Sequence, residues 1–495
     1  DGSLNTMTTG VGTTLTMGYD GLRRLTSVTG GPFNRSYAYR DISGTATTLQ
    51  VSQLSYPNLG SGVSFGYTYD NLGNIATYTA PDGEVITYSY DNPRQLRKAE
   101  GDSTYLYVYD SVGNILSANG HTYSYGNANW KDLLTAFDGN SITYDASGNP
   151  TSYYNGTRWT MTWANGRSLA TASDGTTSLS FTYDASGLRT SKTVGSTTYR
   201  YYYAGGKLMR MSWGANIVDF FYDASGLPYA MKYNGTVYYY VTNLQGDVMH
   251  IVNASGTVVA SYDYDPYGKV ISAVGSLANI NPLRYRGYVY DQETGFYYLQ
   301  SRYYDPAIGR FINADSYAST GQGIIGHNMF AYCGNSPANF SDETGHVAIG
   351  QEVLNTGLLL LLASLDGPLP FADFMISAYL TATFLHEVTA GREKEEVKSE
   401  AITVNPDRKQ AYFTESPYAF VPRGLIMVTH PGHYNGRIIV WKDPISSISI
   451  FEWDEDFQYG SHYHILLPGS GKHSGDHIPA GTPVPEPWNT IYFGG

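Results

Sequence analysis

Six of the chain's 11 histidines fall between positions 430 and 477: His430, His433, His462, His464, His473 and His477. Histidine changes charge near neutral pH and is a common metal ligand, so such a cluster is the first place to look for chemistry. Gly460 to Leu467 reads as a strand, and side chains alternate with period two along a strand. His462 and His464 then share one face and Tyr463 takes the other. Three chemistries fit. In a metal-free ribonuclease, one imidazole takes the ribose 2′-hydroxyl proton and another protonates the leaving oxygen. His462 and His464 are the first pair for that work, with His430, His433 or His477 as alternates. In a metal hydrolase, His462 and His464 would bind zinc or another divalent ion, with Asp476 and Glu486 as candidate acids. A group transferase or NAD-consuming enzyme is the third option, and no motif marks it. The region holds no Gly-rich phosphate loop, no HExxH and no Gly-x-Ser-x-Gly. No cofactor is called for beyond that candidate divalent metal.

Composition limits the partners. Formal net charge is −13, and the stretch from His346 onward has 9 Lys+Arg against 17 Asp+Glu. A broad basic face for nucleic acid is excluded, because phosphate binding needs Lys and Arg. RNA would need a local patch such as Arg423, Arg437, Lys442 and Lys472. A single Cys, Cys333, excludes an intrachain disulfide framework and a CxxC zinc site. The chain opens at Asp1 without an initiator Met and without a visible targeting segment, and reads as a piece of a longer protein.

The elements that must position the histidines follow from the other two thirds of the chain. Tyr (47) and Gly (55) make up about a fifth of the 495 residues. That mixture favours aromatic strands joined by tight turns. A Tyr-Asp pair recurs, from Tyr19-Asp20 through Tyr69-Asp70, Tyr90-Asp91, Tyr109-Asp110, Tyr144-Asp145, Tyr183-Asp184, Tyr222-Asp223 and Tyr264-Asp265 to Tyr304-Asp305, at steps such as 21, 19, 35, 39 and 42. A recurring unit sets the architecture. In Asp70-Asn-Leu-Gly73-Asn74, Asp can cap a turn with its carboxylate and Gly supplies positive φ. The flanking segments alternate like strands. Hairpins side by side would make a long sheet with Tyr ladders between neighbours, and the Asp residues of the repeats are turn formers rather than catalysts.

These repeats resemble the YD repeats of RHS-type proteins. The segment Leu283 to Asp315, with Arg284-Tyr-Arg-Gly-Tyr, Asp291-Gln-Glu-Thr-Gly-Phe-Tyr-Tyr and Arg302-Tyr-Tyr-Asp-Pro-Ala-Ile-Gly-Arg-Phe, is similar to the RHS core-associated motif, and the likeness runs to Gly345. The resemblance implies a β-hairpin spiral or shell that encloses a variable C-terminal toxin used in interbacterial competition. Pro337 to Gly345 is similar to the boundary at which such proteins release the toxin by an aspartic-type self-cleavage. On that likeness Asp315 and Asp342 match the two carboxylates and Arg302 a supporting Arg, and the bond cut would be His346–Val347. Glu343 stands where the family usually has Pro, and His346 where many members have Leu.

The resulting expectation is a mainly β protein in four parts. Residues 1–282 form a partial YD-repeat shell, and 283–346 the core-associated motif and junction. Residues 347–400 form a hydrophobic helical bridge with a charged linker. Residues 401–495 form a small His-rich α+β effector, a hydrolase of RNA or another nucleic acid. The Leu-rich run within 353–385 is broken by Asp366, Pro368, Pro370 and Asp373, short of the about twenty apolar residues a membrane helix needs. The implied partners are an immunity protein, target-cell RNA or other nucleic acid, and delivery machinery. The implied location is secreted or cell-surface, with the effector delivered to the target-cell cytoplasm. The rival expectation is a surface adhesin whose exposed aromatic faces bind glycans, with an inert C-terminal cap.

Overall fold

The computed structural model describes residues 4–41, 47–316, 325–346 and 348–350, and four strands within 426–465. The chain divides into two compact units, Asp1–Glu393 and Lys394–Gly495. Both are built from antiparallel strands among the described residues.

Within each sheet of the first unit, every strand pairs with the next one along the chain. Fourteen strands from Thr6–Thr8 to Asn140–Ser141 make one sheet, and fourteen from Thr143–Tyr144 to Val270–Val274 make another. The turns explain the order, because a connection of a few residues can only join antiparallel neighbours. In the Asp70 turn, Leu72 N and Asn74 N both donate to Asp70 Oδ1 at 2.8 Å. Gly73 N donates to the Asp70 carbonyl at 3.2 Å. Gly73 has φ +80°, the conformation for which Gly was expected. The same pattern recurs at Asp110 and Asp145. A register shift at Tyr69, Tyr90, Tyr109, Tyr183, Tyr222 and Tyr264 marks a bulge beside each turn.

The paired tyrosines do more than stack on neighbours. Tyr90 Oη donates to the Ile75 carbonyl at 2.7 Å, Tyr109 Oη to Leu96 at 2.6 Å and Tyr264 Oη to Val248 at 2.8 Å. Each acceptor is the residue leaving the preceding turn. The phenol of one repeat therefore ties down the turn of the repeat before it, which explains why Tyr precedes Asp so regularly.

Along the strands one face is buried and the other exposed, as in Arg158–Ala164 and Ser178–Tyr183. The buried face is covered by the segment after Leu283. Its short strands Val289–Asp291, Phe296–Leu299, Arg302–Asp305 and Arg310–Phe311 form a four-stranded sheet of their own. Tyr285, Tyr297, Tyr304 and Tyr332 join one cluster with wall residues such as Leu96, Ile115, Trp159 and Phe220. Tyr304 and Tyr332 stack at 4.0 Å between centroids. The two long sheets also meet directly, with Val51, Leu54 and Phe65 against Val241, Leu244 and Val252.

Buried charges fix how this covering segment sits. Arg189, fully buried on a wall strand, pairs with Asp291 at 2.5 Å, and Lys192 reaches Asp291 at 3.0 Å and Glu293 at 2.7 Å. Arg286 pairs with Asp247 at 3.1 Å. Asn335 Nδ2 donates to Gln95 Oε1 at 2.8 Å and to the Gly113 carbonyl at 2.7 Å. Removing one partner from such a buried pair strands the other charge.

In the second unit the described strands are Ile426–Pro431, Arg437–Lys442, Ser449–Asp456 and Gly460–Ile465, paired in chain order. The strand Ser449–Asp456 pairs with Gly460–Ile465 from Phe451 through Asp456. The helical bridge and charged linker expected over 347–400 lie outside the described residues, apart from the short strand Ile349–Gly350, which pairs with Phe340–Ser341.

Two outcomes follow from this packing. Asp291→Ala is expected to destabilise the first unit by about 3–5 kcal/mol, read by urea unfolding followed through tryptophan fluorescence. Asp265 is buried in its turn and its carboxyl is pushed up to about 7 by burial, against the hydrogen bonds from Lys269 N and Tyr267 N that it accepts. Folding therefore favours the protonated form. The stability this group brings is full below the ordinary carboxyl range and is lost as pH rises toward about 7. Asn253 holds an equivalent turn without a titrating group. Asp265→Asn is thus expected to flatten the fall in thermal stability with rising pH over that range, and an unchanged slope would contradict it.

Candidate functional site

The junction is built from three pieces of the covering segment. The strand Arg302–Asp305 carries Arg302, Asp315 follows the strand Arg310–Phe311, and Asp342 follows the strand Phe340–Ser341. All three side chains are about 97% or more buried. Arg302 Nη2 lies 2.9 Å from Asp315 Oδ2 and 3.4 Å from Asp342 Oδ2. Its guanidinium sits over the Phe311 ring at 3.5 Å, and Nη1 donates to the Met329 carbonyl at 3.0 Å. The three residues matched by resemblance are thus brought together from positions forty residues apart.

Asp342 has a double role. Its Oδ1 accepts from Gly345 N at 2.8 Å and His346 N at 3.0 Å, closing a turn with its carboxylate as the repeat Asp residues do, but from the third and fourth residues on instead of the second and fourth. Its own N donates to Tyr288 Oη at 2.6 Å. Burial raises its carboxyl above the usual range and the Asp315 charge adds to that, while Arg302 and His346 oppose it. Burial likewise lowers Arg302, against the pull of Asp315 and Asp342. Two carboxylates with one shared cation and unequal environments are what acid–base division of labour requires.

The chain just before the expected cut lies against Gln300–Arg302 as a substrate lies in a cleft. Ser301 Oγ donates to the carbonyls of Thr344 at 2.6 Å and Gly345 at 3.0 Å, and Ser301 N to Thr344 at 3.2 Å. Arg302 Nε also donates to the Gly345 carbonyl. Gln300 Nε2 donates to the Glu343 carbonyl at 3.2 Å. Gly345 has φ +75°, and a Cβ there would fall 2.6 Å from the Leu299 carbonyl oxygen and 2.7 Å from Ser301 Oγ. Glu343 pairs with Lys207 at 2.5 Å, so an ion pair to the wall holds the loop where a Pro ring was expected. His346 turns its Nδ1 to Asp315 Oδ1 at 2.8 Å. Val347 lies outside the described residues.

Sequence reasoning missed Ser301, Gln300, Lys207 and Tyr288. No spacing signals them, because each acts through contacts formed only when distant segments meet.

In the second unit, the register places position 462 opposite Asp454 and position 464 opposite Glu452, with 430 opposite Ile438 and Ile438 opposite Asp454. The two His positions thus fall in rows with two acidic positions that the sequence reading did not single out. His433, His473, His477, Asp476 and Glu486 lie outside the described residues, as do Arg423 and Lys472. Among the described residues no group of three or more His, Cys, Asp or Glu is placed to hold a metal ion.

The Teneurin YD-shell family profile matches residues 82–332, just over half of the chain. The chain belongs to the Teneurin YD-shell family. Its repeats are YD repeats and its fold is the mainly β fold expected of an RHS-type protein. This YD-shell chain is 32% identical over 318 residues to the tRNA3(Ser)-specific nuclease WapA of Bacillus spizizenii, covering 60% of this chain and 11% of that protein. It is 38% identical over 109 residues to the tRNA nuclease WapA of Bacillus subtilis, covering 22% of this chain and 5% of that protein. The chain therefore spans about a tenth or less of the length of these relatives. A crystal structure of TcdB2-TccC3 without its hypervariable C-terminal region aligns with a TM-score of 0.48 at 18% identity, over 69% of this chain and 21% of that one.

Gly345→Ala is expected to lift the junction off Ser301, since the added methyl meets main chain and the positive φ disfavours it by about 1–2 kcal/mol. Faster amide exchange across 343–346 in the variant checks this, and unchanged protection would refute it.

Proposed function

We propose that this YD-shell chain is part of an RHS-type polymorphic toxin that releases its own C-terminal effector by cutting after His346. The observation that carries the reading is the seat of residues 343–346 on Gln300–Arg302, beside a buried pair of aspartates. In the step, Asp315 as carboxylate takes a proton from water while the water oxygen attacks the His346 carbonyl carbon. The tetrahedral centre collapses, the C–N bond to Val347 breaks, and the protonated Asp342 gives its proton to the departing nitrogen. The products are a carboxylate at His346 and an amine at Val347. Arg302 is a positioning residue, because it holds both carboxylates and the Gly345 carbonyl. Burial that raises Asp342 supports its assignment as the acid, and the ion pair with Arg302 supports Asp315 as the base.

The effector reading rests on three supports. The relatives named above are nucleases, the second unit is compact in its own right, and His462 and His464 stand in register with Asp454 and Glu452. A histidine with a carboxylate across the strand suits general acid–base cleavage of RNA. The metal alternative through Asp476 and Glu486 is tested by chelator. A toxin of this kind pairs with an immunity protein, acts on nucleic acid in the target cell, and is secreted or displayed at the cell surface for delivery.

The full chain is expected to run as two pieces on a denaturing gel, with the smaller beginning at Val347. Asp342→Asn and Asp315→Asn should each leave it whole, slowing the cut at least about a hundredfold. A wild-type chain that folds and stays intact would overturn the reading. Expression of the full chain in a bacterium should arrest growth, and the His462→Ala, His464→Ala double variant should relieve the arrest. Arrest by both would remove the histidines from the chemistry.

A further inference from the structure

The residue on the acyl side of the cut has a side chain inside the cutting machinery. His346 Nδ1 lies 2.8 Å from Asp315 Oδ1, and its main-chain N is bound to Asp342. Its ring is about a fifth exposed, so solvent protons reach it, whereas Asp315 is 2% exposed. An aliphatic side chain in this position would leave one cation, Arg302, facing two carboxylates. Here an imidazole stands against the carboxylate assigned as base.

We propose that His346 gates the self-processing step, its imidazolium holding Asp315 out of action and its neutral imidazole releasing it. This rests on the self-processing reading above and adds the condition under which the cut occurs. The charged ring makes a charge-assisted hydrogen bond to Asp315, about twice as strong as a neutral one, and draws electron density from the oxygen that must accept the water proton. When the ring loses its proton, the contact with Asp315 loses its charge and Asp315 regains its basicity. The charged and titratable groups that line the spaces on either side of the ring are Asp315, Arg302, Asp342, Arg167, Cys333, Tyr183, Tyr298 and Tyr303. Imidazole is the side chain whose charge changes between about pH 5 and 8.

The test uses the full chain, collected unfolded and uncut in urea and diluted into buffers across that range. Tryptophan fluorescence reports folding, and a denaturing gel reports the cut fraction over time. The wild type is expected to fold throughout but to cut at least about tenfold more slowly at the acid end than at the neutral end. His346→Leu removes the ring, and His346→Asn keeps a donor near the Nδ1 position without a charge that titrates. Both should cut at rates nearly independent of pH over the same range. A wild-type profile shared by both variants overturns the gate while leaving self-processing standing. Folded chains that stay whole at every pH, wild type and variants alike, overturn self-processing itself.

Discussion

A long antiparallel meander with one apolar face is unstable until that face is covered, and in this chain the cover is a tyrosine-rich segment held by buried ion pairs. Hydrophobic area alone would let such a cover slide, since ring stacking is tolerant of position. Arg189 with Asp291 and Arg286 with Asp247 remove that freedom, because a displaced cover would leave charges buried without partners. The repeats supply complementary anchors. Asn114, the last residue of the Asp110 turn, accepts from Asn328 at 2.9 Å, and Ile75 N donates to Asn339 at 2.8 Å. Wall and cover are thus one hydrogen-bonded body, and the turn motif that builds the wall also binds the cover.

The junction is a consequence of the same constraint. Asp315 and Asp342 lie at the two ends of the cover's last stretch, and both meet Arg302 only because the strands between them are fixed. Three ionisable groups in a site almost without solvent are costly, and the surrounding main chain offsets that cost through the Asp342 turn, the Met329 carbonyl and the Ser301 bonds. Such an arrangement keeps the peptide segment in one geometry. The Lys207–Glu343 pair shows how this chain holds the loop from outside, with a charge where a stiff ring would do it from within.

The fold was largely legible in the sequence. Tyr-Asp-x-x-Gly carries its own instructions: Asp caps, Gly takes positive φ, and the phenol reaches the turn before. The junction was legible only in part. Asp315, Asp342 and Arg302 stood out by likeness to a family motif, whereas Ser301 and Gln300 had no pattern of their own. In the second unit the His-x-His spacing was visible, but its acidic counterparts Glu452 and Asp454 were not, since register depends on pairing and not on composition.

Local order in this protein was therefore set by the sequence. Strand periodicity, turn chemistry and the run of neighbouring strands depend on interactions within about twenty residues, which any reader of the chain can trace. Tertiary structure decided the rest: which charges meet, which glycine has no room for a methyl, and which carboxylate the ring of His346 touches. Those contacts join residues from 13 to more than 200 positions apart, and their strength comes from the exclusion of water that only the finished core provides.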